Sequence, residues 1–185
     1  MKRHNLEIYD ATENSVNGGS VRAFITHKEN NVKKTKNLKN LINLEKGMNL
    51  NNKKTYLQFY NKILDIKSRI RKSIFEEINN GPVFGLGAST KGNMLLQTFG
   101  LDKKVIPFIS ERNIEKVGLK TLGTDIELIS EEAARLKNPS MMIVLPWYFK
   151  DEIVKREKEY LENGGKLLIP MPFPHIVDKK GETVL

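Results

Sequence analysis

From residue 82 to residue 170, short segments rich in strand-forming residues alternate with segments that have helical periodicity. The predicted strands are 82–87, 105–110, 126–130, 140–146 and 166–170. The predicted helices are 89–99, a brief one that opens at 130–132, and 149–165. Strand–helix alternation with short connections produces a mainly parallel sheet covered by helices. The sequence therefore predicts an α/β, Rossmann-like domain, with 166–170 as its last strand and a proline-rich segment after it.

A long helix is predicted immediately before this alternating region, over residues 53–79. Its apolar residues recur at spacings of three and four, which places them on one face of a helix. They are Leu57, Tyr60, Ile63, Ile66, Ile70, Ile74 and Ile78. We expect this face to pack on the sheet.

The N-terminal residues predict a β-hairpin. Segments 6–10 and 20–26 are rich in strand formers, and Asn17-Gly18-Gly19 supplies turn residues between them. Because a two-stranded hairpin is marginal alone, we expect it to join a further sheet. A second copy of the chain, in a homo-oligomer, is one candidate for that sheet.

Residues 28–52 are rich in lysine and asparagine and predict a linker with a short helix near 38–45. The chain carries a net charge of +9, and this stretch contributes strongly to it. Folded nucleic-acid surfaces interleave arginines and aromatics, which this stretch lacks, so we expect a solvated linker and no nucleic-acid partner. The predicted organisation is hairpin 1–27, linker 28–52, Rossmann-like domain 53–178 and tail 179–185.

Composition excludes several other classes of protein. No apolar run approaches the ~18 residues of a membrane span, and the N-terminus lacks the apolar stretch of a signal peptide. There is no cysteine, so neither disulfides nor thiolate metal sites are available. The three histidines are far apart, and no metal site is predicted. A cytoplasmic location without a membrane partner is the simplest expectation.

The sharpest local feature is the glycine-rich turn of residues 85–92, Gly-Leu-Gly-Ala-Ser-Thr-Lys-Gly, which follows a predicted strand and opens a predicted helix. Main-chain N–H groups at a helix N-terminus attract anions, and Ser89, Thr90 and Lys91 add donors and charge. The turn is not a Walker A loop, and its third glycine, Gly92, falls two residues later than G-x-G-x-x-G requires. We expect an anion or nucleotide site, the alternative being a purely structural turn.

Other candidate residues follow the predicted strands. Glu111 ends the second strand, where an acid commonly holds a ribose hydroxyl, and basic residues follow it. Trp147 follows a buried strand at the sheet edge where α/β proteins bind ligands. No catalytic residue is predicted. The candidate substrate-binding residues are Gly85, Gly87, Ala88, Ser89, Thr90, Lys91, Gly92, Asn93, Glu111, Arg112, Lys116 and Trp147.

Five further motifs follow one another along the chain: FGLGASTKGN (84–93), ERNIEKVG (111–118), LGT (122–124), VLPWYFKDEI (144–153) and NGGKLLIPMP (163–172). In this order they resemble the C-terminal domain of the sugar-nucleotide C-methyltransferases, which depend on S-adenosylmethionine (SAM). NGGSVR (17–22) also resembles the turn near the end of the family's SAM domain. Departures from the family pattern are Asn17 for histidine, Glu111 for aspartate, Leu122 for proline, and Pro146 and Tyr148 beside Trp147.

The resemblance implies a division of labour. In such enzymes the sugar nucleotide lies between the SAM domain and this C-terminal domain, a base removes a proton beside a sugar ketone, and the carbanion attacks the SAM methyl group. The SAM loop, the zinc cysteines and the catalytic histidine- and glutamate-containing stretch have no counterpart here. We therefore expect a substrate-binding part that binds no cofactor itself, recognises a nucleotide-sugar-like molecule and works with a SAM-methyltransferase domain or chain. The alternative is a stand-alone nucleotide- or NAD-binding module without catalysis.

Overall fold

The computed structural model describes all 185 residues, and they form two compact units, 1–62 and 63–185. Helix α2, Lys53–Glu77, begins in the first unit and ends in the second.

The first unit is a hairpin with a helix packed on it. Strands β1, Leu6–Asn14, and β2, Ser20–His27, pair antiparallel as predicted. Helix α1, Lys36–Gly47, lies within the predicted linker and is longer than the short helix expected there. Thr35 caps α1, accepting from the main-chain N–H of Leu38, while its own N–H donates to Tyr9 in β1 at 2.9 Å. This bond and the burial of Leu38 fasten α1 to the hairpin.

The second unit is built on a seven-stranded sheet. Its order is β5-β4-β3-β6-β7-β8-β9. The strands are β3 (Val83–Leu86), β4 (Phe108–Glu111), β5 (Glu127–Ser130), β6 (Met141–Val144), β7 (Lys166–Ile169), β8 (His175–Asp178) and β9 (Gly181–Val184). The pairs from β5 to β7 are all parallel. The predicted α/β class with a mainly parallel sheet is therefore confirmed.

Helices cover both faces of this sheet. They are α3 (Thr90–Phe99), α4 (Glu131–Leu136), α5 (Lys150–Arg156) and α6 (Lys158–Glu162), together with the second half of α2. Successive residues of β6 alternate between two cores: Met141 packs with α2 and α3, and Met142 packs with α4, α5 and α6. This alternation is the period-two geometry of a strand buried on both faces.

Two predicted elements differ in the structure. The prediction of 166–170 as the last strand is wrong, because β8 and β9 extend the sheet antiparallel through the proline-rich segment and the predicted tail. The predicted helix 149–165 divides into α5 and α6 at Glu157, whose φ of −90° and ψ of 16° depart from helical values. Its side chain is fully buried.

The apolar face of α2 is buried only in part. Ile70 and Ile74 are fully buried in the core of the second unit, whereas Leu57 and Tyr60 are more than half exposed. Periodicity predicted the face correctly but not how much of it is covered. No helix of the chain is long and apolar enough to span a bilayer.

Candidate functional site

The candidate site lies where the strand order of the sheet reverses. Chain order runs from β3 through β4 to β5 on one side and then returns to β6 on the other. Ligands of open α/β sheets bind outside the carboxyl ends of the strands at such a switch point. The predicted glycine turn follows β3 at this place.

The structure around three glycines of the turn explains why a larger residue would not fit there. Gly87 has a φ of +75°, and its N–H donates to Ser110 at 2.8 Å. A Cβ at Gly85 would stand 2.7 Å from the Ile109 side chain. A Cβ at Gly92 would stand 2.5 Å from that of Leu145. Backbone conformation at Gly87 and close packing at Gly85 and Gly92 therefore account for these three glycines without a ligand.

Gly92→Ala is expected to lower the free energy of unfolding by about 1–2 kcal/mol, because an overpacking cost of up to about 3 kcal/mol outweighs the roughly 1 kcal/mol gained in helix propensity. The added methyl would also stand 2.9 Å from the hydroxyl of Ser89, which caps α3. Urea unfolding measures the change. Gly47→Ala is the matched control, since nothing lies within 4 Å of its Cβ position. Equal stability of the two variants would contradict the packing account.

Ser89 caps the N-terminus of α3, where two main-chain N–H donors have no protein acceptor. Its hydroxyl accepts from the N–H of Gly92 at 3.0 Å. The main-chain N–H groups of Ser89 and Thr90 donate to no protein group. They lie at the positive end of a helix of 10 residues. The turn thus retains the main-chain chemistry of an anion site.

Glu111 fastens the turn to the end of β4. Its carboxylate is buried and accepts from the N–H of Ala88 at 2.7 Å and from that of Asn113 at 2.8 Å. Each of the two carboxylate oxygens accepts one of these hydrogen bonds. The residue that the sequence suggested for a ribose hydroxyl therefore already holds two loops of the protein together.

Two clefts meet at Ala88 and Ser89. The first, here called the Arg112 cleft, has a volume of about 360 Å³. Its lining includes Gly87, Glu111, Arg112, Pro146, Tyr148 and Arg156. The second, here called the Asn93 cleft, has a volume of about 340 Å³. Its lining includes Thr90, Asn93, Leu96, Lys116, Leu119 and Lys120.

The structure brings most predicted site residues to the turn but divides them. Arg112 lies in the first cleft, whereas Lys116 lies in the second, where its ammonium donates to the carbonyl of Ala88 at 3.2 Å. Lys91 and Trp147 line a separate apolar groove of about 250 Å³, beside Met94. The Lys91 ammonium lies 5.0 Å from the centre of the Tyr148 ring.

Some lining residues were not predicted from the sequence. Tyr148 follows Trp147 directly, and a run of three aromatics after a buried strand is a signal that could have identified it. Arg156 lies in α5, where it bonds Glu131 at 3.1 Å, and nothing local in the sequence singled it out. Lys120, a basic neighbour of the predicted residues, is 3.5 Å from Asp125. The hydrogen bond and charge of Lys103, followed by the charge of Lys120, hold the pKa of Asp125 below its ordinary value.

Asn93 has a polar atom without a partner. Its side-chain oxygen is buried and makes no hydrogen bond. Such an acceptor costs about 1–3 kcal/mol when nothing satisfies it, and buried polar groups are nearly always paired. Asn93 lines the Asn93 cleft, but its unpaired oxygen is itself closed to solvent.

Comparison with known proteins agrees with this architecture. Residues 15–172 match the family described as the C-methyltransferase C-terminal domain, and the chain belongs to that family. One relative is the C-methyltransferase NovU of Streptomyces niveus. The chain is 30% identical to it over 178 residues. That match covers 96% of this chain but only 42% of NovU.

Proposed function

We propose that this chain supplies the sugar-nucleotide-binding side of a SAM-dependent C-methyltransferase. In this proposal, a methyltransferase domain or a separate chain provides the SAM site and the base that removes the proton. Catalysis by this chain then consists of holding the substrate in position, which is a contribution in its own right. The cytoplasmic location expected from the sequence is part of the proposal.

The observation that carries the proposal is the turn at the carboxyl end of β3. It combines unused main-chain donors at Ser89 and Thr90 with two open clefts and two basic residues in each. A diphosphate needs several donors and positive charge within a few ångströms, and helix N-termini supply both. The clefts on either side give a base and a sugar separate places to lie.

The residues of the turn do not fit SAM as well as they fit a phosphate. To hold the ribose hydroxyls of SAM, the site would need a free acid at the carboxyl end of the second parallel strand. Glu111 is the acid at that position, but both of its carboxylate oxygens already accept from main-chain N–H groups. We therefore assign SAM to no residue of this chain. The cofactor, when bound to the complete enzyme, supplies the methyl group.

A nucleotide- or NAD-binding module without catalysis is the second candidate. The order of the five parallel strands matches five of the six strands in the classic dinucleotide-binding order, which favours this alternative. Two observations count against NAD. Glu111 already bonds two main-chain N–H groups, and Gly92 lies two residues later than the dinucleotide-binding motif requires.

The experiment is calorimetric titration of the full chain with dTDP, UDP, GDP, a nucleotide sugar, NAD and SAM. We expect saturable binding of a nucleoside diphosphate and of its sugar, with SAM silent. Lys116→Ala and Arg112→Ala should each weaken diphosphate binding about 3- to 10-fold, in line with the loss of one charged contact. Lys72→Ala is the control, since that side chain is exposed and lies on α2.

Each other outcome has a definite meaning. Preference for NAD over every nucleoside diphosphate would favour the second candidate. SAM binding by this chain would contradict the proposed division of labour. If none of the ligands binds, the turn is structural and the proposal fails for this chain.

A further inference from the structure

The hairpin of the first unit has an open edge along β2. On the β1 side, the N–H of Thr35 donates to the carbonyl of Tyr9 at 2.9 Å. On the β2 side there is no third strand, and no main-chain hydrogen bond joins Ser20–His27 to a residue outside the hairpin. An open strand edge is a template for another strand, and a two-stranded hairpin becomes independently stable when further strands join it.

This edge lacks the features that keep edge strands from pairing. The eight residues of β2 include no proline and a single permanent charge, Arg22. Val21 and Ile25 lie on the same face, because side chains alternate along a strand. Their side chains are 65% and 49% exposed. The edge therefore offers both free main-chain groups and uncovered apolar surface.

The residues of β2 match those of a second copy of β2 in one antiparallel register. With Ala23 on a two-fold axis, Val21 of each copy lies opposite Ile25 of the other. Arg22 of each copy then lies opposite Phe24 of the other, which suits contact between a guanidinium group and a ring face.

The neighbouring registers match less well. An axis at Arg22 sets the two guanidinium groups directly opposite each other, and like charges in that position are destabilising. An axis at Phe24 sets Val21 opposite His27 and Ile25 opposite Ala23. Of these three registers, the one about Ala23 alone pairs the two exposed apolar residues with each other.

We propose that this chain forms a dimer through β2, with the β2 strands of two copies pairing antiparallel about Ala23 to give a four-stranded sheet. The inference does not depend on the proposed function. An interface made by one strand pair lies at the small end of the range for specific complexes, so the expected dissociation constant is about 1–100 µM.

The charge of the first unit predicts how the dimer responds to salt. Residues 1–62 contain twelve Lys and Arg residues against five Asp and Glu residues. Two copies of this unit therefore repel each other, and salt screens that repulsion. Raising the NaCl concentration from about 0.05 to about 0.5 M should lower the dissociation constant several-fold.

The test is sedimentation equilibrium of the full chain from about 1 to 200 µM at both salt concentrations. Val21→Lys/Ile25→Lys sets lysine opposite lysine at both pairs and should raise the dissociation constant at least about 10-fold. Val21→Lys/Ile25→Glu sets lysine opposite glutamate in the same register. This variant should return the dissociation constant to within about 5-fold of the wild-type value.

Two further measurements guard against an effect on folding. Ile114→Lys/Leu136→Lys is the matched control, because these side chains are 74% and 83% exposed and lie in the other unit, and it should dimerise like the wild type. Hydrogen exchange needs no variant. The main-chain amides of residues 20–26 in the wild-type chain should exchange more slowly at the highest concentration than at the lowest.

Three results would overturn the inference. The first is a chain that stays monomeric at every concentration and salt. The second is dimerisation that neither Val21 and Ile25 double variant changes, or that leaves the exchange of residues 20–26 unaltered, since the copies would then meet through another surface. The third is loss of dimerisation in both double variants while the control still dimerises, because the register about Ala23 would then be wrong.

Discussion

Glu111→Leu is expected to lower the free energy of unfolding by about 2–4 kcal/mol, since hydrogen bonds to charged groups contribute about 1.5–3 kcal/mol each. The substitution removes the acceptor for the N–H groups of Ala88 and Asn113. Ala88 borders open clefts where water can replace part of the loss, which keeps the figure below the sum of two full bonds. Urea unfolding monitored by circular dichroism provides the measurement.

The same substitution should also affect ligand binding through the turn. Without Glu111, the Ala88–Ser89 segment loses its attachment to the end of β4, so dTDP affinity should fall more than it does for Arg112→Ala. Glu111→Gln keeps one acceptor oxygen and should lose about half as much stability. Glu115→Leu, at an exposed position four residues along, is the control and should change stability by less than about 0.5 kcal/mol. A stable Glu111→Leu variant with normal affinity would show that the turn holds its shape unaided.

The sequence was sufficient to predict the parallel part of the fold. Alternating buried strands and helices dictate a parallel layered sheet wherever connections are short, and Gly87 and Ser89 mark the turn after β3 through local backbone chemistry. The β8–β9 pair escaped prediction because neither strand is a buried apolar run: β8 is mostly half-buried and β9 is exposed throughout. Their pairing depends on β7 as a template, which local pattern does not reveal.

The structure divides candidate residues that the sequence placed near one turn. Arg112 and Lys116 are four residues apart and both follow the second predicted strand, yet a short helical turn over Ile114–Lys116 sends them to different clefts. That separation depends on the path of a loop, which has no periodicity to reveal it. The unpaired oxygen of Asn93 likewise exists only once α3 packs against the loop that follows β4.

The break between α5 and α6 shows a related limit. The residues around Glu157 have the periodicity of one continuous helix, and its N–H still donates to Ile153 at 2.8 Å. The carboxylate, however, turns inward, where Arg135 and Arg156 both bond it. A buried charge with two cationic partners depends on α4 meeting the segment that joins α5 to α6, and a sequence pattern along one helix cannot predict it.

Removing both arginines is expected to cost about 3–5 kcal/mol of unfolding free energy, the usual result of stripping a buried charge of its partners. Glu157 is completely buried, whereas the side chains of Arg135 and Arg156 are 39% and 33% exposed. Arg135→Ala/Arg156→Ala therefore leaves a carboxylate without solvent or counter-charge. Urea unfolding near neutral pH measures the loss, and Lys158→Ala, at an exposed pair with Glu162, should change stability by less than about 1 kcal/mol.

A third substitution separates the cost of the charge from the cost of lost packing. Adding Glu157→Leu to the double variant removes the unpaired carboxylate, so most of the lost stability should return, because apolar groups replace buried ion pairs with little penalty. Arg135 also lies 5.3 Å from the centre of the Tyr160 ring, and Arg156 bonds Glu131, so a residual loss of about 1 kcal/mol is expected from those contacts. A triple variant as unstable as the double would mean that the arginines act by packing rather than by neutralising Glu157.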